Sequence, residues 1–219
     1  MSILNRVTFS GYWEVLGNTK LTNGRHLKSA KGKDIDYFFS EQKVDFSNNI
    51  RLNFNDLPSQ SYLKNLTEYC DSMDYVYTKF GSRMKASSFL RLATIWTSKI
   101  LLFKKINDLS PAREIVWRDC VKNRKLKEIY NIKSENKLVV KRYHAIPKKP
   151  YKGQLNQKFP KIKLLGGVLK MPTQIIDEFT EKYIECLKEV DELFNIYDEE
   201  LVLSFMNQKY PGLFFIIYK

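Results

Sequence analysis

Apolar residues recur at helical spacing between Leu63 and Phe80. Leu63, Leu66, Tyr69, Cys70, Met73, Val76, Tyr77 and Phe80 share one face of a helix predicted from Ser59 to about Phe80. Residues 86–107 predict a second helix, apolar on several faces as a central core helix would be. Within it the run FLRLATIWTSKILLF is interrupted by Arg91 and Lys99 and is too short to span a bilayer. A third helix is expected from Ser110-Pro111, because serine caps a helix and proline, lacking an N–H, suits the first helical position.

Elsewhere the pattern is extended. Residues 6–16 and 19–28, IDYFF (35–39) and IRLNF (50–54) read as strands, with turns at Gly17-Asn18 and Asn23-Gly24. KLVVKRYHAI and FPKIKLLGGVLKMP can pair as strands around a long loop. Beyond Pro172, the residues Ile176, Phe179, Tyr183, Cys186, Val190 and Leu193 form a helical seam with an acidic outer face. A shorter helix is expected from Asp198 to about Gln208, and the ending PGLFFIIYK reads as a strand or docking tail. The fold class expected is α+β: a mainly helical body, a small irregular N-terminal β region, a basic extended arm and an acidic C-terminal helical hairpin. Its regions are 1–58, 59–140, 141–170 and 171–219, taken as one compact domain with an appendage.

The charge of +13 is unevenly spread. Residues 79–170 carry 24 Lys or Arg against five Asp or Glu, whereas residues 171–219 carry four against ten. A regional excess of that size is the footprint of a polyanion-binding surface. The third helix turns basic at Lys122, Arg124, Lys125 and Lys127. After it comes KRYHAIPKKPYKGQLNQKFPKIK, which has no acid and is broken by Pro147, Pro150 and Pro160. Its cations Lys141, Arg142, Lys148, Lys149, Lys152, Lys158, Lys161 and Lys163 suit phosphates, and Tyr143, His144, Tyr151 and Phe159 offer faces for unpaired bases. Two plainer readings compete: a linker, or a strap lying on the chain's own acidic helices.

Catalytic motifs are scarce. The two histidines, His26 and His144, have no metal-ligand spacing, and no phosphate-binding glycine loop or nucleophile elbow appears. No cofactor or metal is expected. Asp34, Asp36, Glu41 and Lys43 loosely match the carboxylates and lysine of a magnesium-dependent nuclease. Cys70, Cys120 and Cys186 are an odd, scattered set, which points to a reducing compartment inside the cell, cytoplasm or organelle matrix. The expectation is a soluble, non-enzymatic nucleic-acid-binding protein, an RNA-associated component of a ribonucleoprotein assembly. The alternatives are a DNA-binding protein of a replication, packaging or defence system, and the nuclease. A protein partner is expected on the C-terminal helices, 172–208, and no membrane.

Overall fold

The computed structural model describes residues 4–13, 15, 35–41, 48–77, 82–119, 127–133, 136–142, 163–194 and 197–218. Their centre is a seven-stranded sheet, which corrects the expected helical body. Its strands are β1 (Leu4–Tyr12), β2 (Tyr37–Ser40), β3 (Asn49–Arg51), β6 (Ala112–Arg118), β7 (Leu138–Arg142), β8 (Leu164–Pro172) and β9 (Phe214–Ile217). They lie in the order β3-β2-β1-β6-β8-β7-β9, and β8 runs against all the others. A separate hairpin pairs β4 (Tyr75–Tyr77) with β5 (Arg83–Lys85). The architecture is a mixed α/β fold with a mostly parallel sheet.

Strands covered on both faces read as unbroken apolar runs, without polar alternation. In β6, Ile115 and Trp117 pack into the main core beside the helices α1 (Lys64–Asp71), α2 (Ala86–Leu109), α4 (Ile176–Leu193) and α5 (Glu199–Lys209). Val116, between them, points the other way, to Val139, Val168 and Ile129 of the short helix α3 (Lys127–Tyr130). With both faces buried, SPAREIVW lacks the alternation of a half-buried strand, and where a capped helix is expected the chain forms a central strand. The helix expected over 59–80 is also shortened. It comprises a 3-10 turn, Gln60–Tyr62, and α1, after which Val76 reaches the same core from β4.

The C-terminal helices belong to this body. Ile176, Phe179, Tyr183, Cys186 and Val190 are buried, and the Tyr183 hydroxyl donates to the Thr97 carbonyl of α2 at 3.0 Å. Asp191 accepts from the backbone N–H groups of Asn65 (2.8 Å) and Leu66 (3.0 Å) and from the Tyr197 hydroxyl (2.6 Å). A carboxylate of α4 thereby satisfies the amino end of α1, where free N–H groups and the helix dipole favour negative charge. The tail supplies β9, parallel to β7, and β7 pairs with β8 as the flanking runs suggested.

Charges segregated along the chain are paired in space. Lys99 meets Glu199, Lys104 meets Asp177 and Lys163 meets Glu200, each joining the basic region to the acidic C-terminal one. Lys170, only 1% exposed in its side chain, pairs with Glu114. Part of the regional excess is thus internal neutralisation and not a free cationic surface. Among the described residues no helix is long and apolar enough to cross a membrane.

Candidate functional site

Because β1, β2, β3, β6 and β7 share one direction, their carboxyl ends lie along one edge of the sheet. The order of connection reverses between β1 and β6: β2 and β3 follow β1 to one side, and β6 lies on the other. In open α/β sheets the crevice beyond the carboxyl ends at such a reversal is where ligands bind, since the diverging connections leave a gap there. Below it Phe9 meets Phe103 and Trp117 edge to face, with ring centroids 4.9 and 5.2 Å apart. Each such pair adds about 0.5–1.5 kcal/mol beyond its area burial and stiffens the floor.

Both strands present functional groups at this point. The Ser10 hydroxyl donates to the Arg118 carbonyl at 2.5 Å and so ties β1 to β6. Trp13 folds back over Gly11: a Cβ on Gly11 would come within 2.5 Å of the indole, whose N–H donates to the Leu52 carbonyl at 3.0 Å. On β6 the Arg118 Nε is buried and has no hydrogen-bond partner among the described residues. The Trp117 indole donates to Asp119 Oδ1 at 2.9 Å, and Lys99 Nζ lies 3.1 Å from the same oxygen. No described residue donates a hydrogen bond to Asp119 Oδ2.

Lys99 reaches this point from the middle of α2, with a side chain 6% exposed. Its second carboxylate is Glu199, at the start of α5, with Oε1 at 2.5 Å. Gly166 makes room for that carboxylate; a Cβ there would fall 2.2 Å from Glu199 Oε1. Burial works against the ammonium, but Asp119 and Glu199 outweigh it and hold Lys99 above its ordinary value. Burial, opposed by Lys99 and aided by Asp198, Glu200 and Asp119, lifts the Glu199 carboxyl to about 7. Perturbed titratable groups at a crevice are a signature of functional sites.

The residues singled out in the sequence fare differently. Lys141 and Arg142 end β7 on this edge, where the Arg142 guanidinium lies 5.6 Å from the Tyr218 ring centroid. Lys163, just before β8 on the same edge, is 3.5 Å from Glu200. Lys127 opens α3, its side chain outside the described set. Lys122, Arg124, Lys125, Tyr143, His144, Lys148, Lys149, Tyr151, Lys152, Lys158, Phe159 and Lys161 lie outside the described residues. Asp34 and Lys43 do too, while Asp36 accepts from the Thr8 N–H (2.6 Å) and Glu41 from the Phe54 N–H (3.1 Å) and Arg91. The two described carboxylates of the nuclease reading are therefore spent on holding backbone and an arginine.

Lys99, Asp119 and Glu199 form no motif in the sequence, because 20 and 80 residues separate them. One signal was present. Lys99 interrupts a helix apolar on several faces, so an ammonium on one of its buried faces had to be paired.

No family model matches the chain, and no curated protein matches it. Solved structures similar to it include two glycosyltransferases. One is a glycosyltransferase involved in the glycosylation of the major capsid of PBCV-1, at 9% identity and a TM-score of 0.45 over 97% of this chain and 81% of that one. The other is the apo-form glycosyltransferase GlyE of Streptococcus pneumoniae TIGR4, at 11% identity and a TM-score of 0.42 over 99% of this chain and 46% of that one. Lys99, Lys104, Lys163 and Lys170 of the basic region are paired with the chain's own Glu199, Asp177, Glu200 and Glu114, and the expectation of a nucleic-acid-binding protein, in its RNA and DNA forms alike, is corrected accordingly.

Proposed function

We propose that the chain is a nucleotide-dependent transferase, whose phosphate-bearing donor binds in the crevice between the carboxyl ends of β1 and β6. The observation that carries the reading is the position of Arg118 and Asp119 at the end of β6, beside the reversal of strand order. Each keeps hydrogen-bonding capacity that no described residue uses. Arg118 Nε is a donor suited to a phosphate oxygen, and Asp119 Oδ2 is an acceptor suited to a ribose or sugar hydroxyl. Lys99 and the Trp117 indole fix the Asp119 carboxyl through Oδ1, so the free oxygen is oriented before a ligand arrives.

In such a transfer the bond between the donor carbon and the diphosphate breaks, and the diphosphate leaves with the electron pair while the oxygen of an acceptor hydroxyl bonds to that carbon and its proton passes to solvent. Arg118 would stabilise the charge growing on the diphosphate, and a donor already placed there loses little in reorganisation. The two similar structures determine only which donors are tried first, nucleoside diphosphate sugars. Calorimetric titration of nucleoside diphosphates and their sugar esters should give saturable binding, weakened about tenfold or more in Asp119→Asn and Arg118→Ala, the loss expected for one or two charged hydrogen bonds. Absence of binding across the panel, or affinities unchanged in both variants, would sink the proposal.

A further inference from the structure

We infer that the Lys99 ammonium is the resident cation of the crevice, so that a phosphate-bearing ligand is held there without a divalent metal ion. The ligand is taken from the proposal above, but the observations behind the cation are independent of it. Lys99 Nζ lies between Glu199 Oε1 at 2.5 Å and Asp119 Oδ1 at 3.1 Å, with the Trp117 ring centroid 5.4 Å away. One positive group bridging two carboxylates at a phosphate site is the arrangement in which a divalent ion would otherwise sit. Here the bridging charge comes from α2 and is covalently fixed.

The surroundings are built for it. Lys99 and Glu199 are each 6% exposed in their side chains, and Asp119 at 26% forms the lip toward solvent. Gly166 leaves the space into which Glu199 fits, and the Asp119 N–H donates to the Gly167 carbonyl at 2.9 Å. Among the described residues no group of three or more His, Cys, Asp or Glu is placed to hold a metal ion. Burying an ion triad is costly compared with an apolar replacement, so its presence at a ligand crevice calls for a role beyond stability. Lys99, held above its ordinary value, offsets one carboxylate of the triad, and burial raises Glu199 to about 7, so the triad presents less negative charge to a diphosphate than two free carboxylates would.

The test has two arms. In the first, wild-type protein is titrated with a nucleoside diphosphate in EDTA and again with magnesium or manganese. Affinities should agree within about twofold, and a loss of about tenfold or more on chelation would overturn the inference. In the second arm, which uses no nucleotide, thermal melts of wild type and Lys99→Ala are run with manganese alone. Wild type should not shift. The variant, left with two facing carboxylates, should melt lower and recover part of the difference with the ion, and Glu199→Gln added to it should abolish the recovery. Manganese stabilising wild type, or leaving Lys99→Ala unchanged, would overturn the inference. Should the variant not fold, the wild-type melt still decides. Failure of the nucleotide proposal looks different, with no binding in either buffer and the manganese arm intact.

Discussion

Replacing Gly166 by alanine should break the Lys99–Glu199 pair without removing either partner. An alanine Cβ would lie 2.2 Å from Glu199 Oε1, 2.6 Å from Cγ and 2.7 Å from Cδ. Ordinary contact requires about 3.4 Å or more, so the carboxylate must retreat by about 1 Å, and clashes on three successive atoms rule out a simple swing of its tip. A 2.5 Å contact with Lys99 does not survive that retreat. Overpacking costs about 1–3 kcal/mol. Loss of a buried partner costs up to about 3–5 kcal/mol, of which Lys99 keeps a share through Asp119. The expected total is about 3–4 kcal/mol, a fall in melting temperature on the order of 10 °C for a chain of this size. Urea denaturation of Gly166→Ala, Glu199→Ala and the double variant reads it directly. The cost of the glycine change should largely vanish once Glu199 is truncated, whereas Gly212→Ala, with nothing within 4 Å, should be silent. An unchanged Gly166→Ala, or an equal cost in both backgrounds, would refute the packing argument.

Two further outcomes follow from the buried ionisable groups. Glu199 sits above the ordinary carboxylate value of 4.5, at about 7, so the folded state holds a proton that the unfolded chain has released; stability should therefore fall as pH rises from about 4.5 to about 7. Glu199→Gln should flatten that slope in denaturation curves recorded across the window, and an unchanged slope would remove Glu199 as its source. Burial pushes the Cys70 thiol up to about 11 and the Cys186 thiol up to about 12, so neither should be alkylated in the folded protein at pH 8, as mass spectrometry after iodoacetamide can establish. Rapid labelling of either would mean that the α1 and α4 packing opens readily.

Much of the helical layer was legible because its signals are local. The α4 seam from Ile176 to Val190, the central helix over 86–107 and the Asp198 cap, which accepts from the Leu201 N–H at 2.9 Å, depend on neighbours a turn away. The sheet depends on distant partners. β1 pairs with β6 across about a hundred residues, Phe9 opposite Trp117, and nothing within VTFSGY announces that match. β6 misled for a specific reason: Ser110-Pro111 mimics a helix start, and double burial erased the alternation that marks a half-buried strand. The charge pattern misled in another way, because sequence cannot distinguish a lysine awaiting phosphate from one that finds Asp177, Glu199 or Glu200. Lys99 was visible as an interruption in an apolar run; its meaning needed the fold to bring Asp119 and Glu199 beside it.

A nucleotide seated at the reversal point between β1 and β6, as proposed, would shield the backbone there. Hydrogen exchange of the full chain, with and without a saturating nucleoside diphosphate, tests it at the level of backbone amides. Slowed exchange is expected at residues 10–13 and 117–119, with the β4–β5 hairpin and the β9 edge unchanged. Protection confined to those remote elements, or no protection anywhere at saturation, would contradict it.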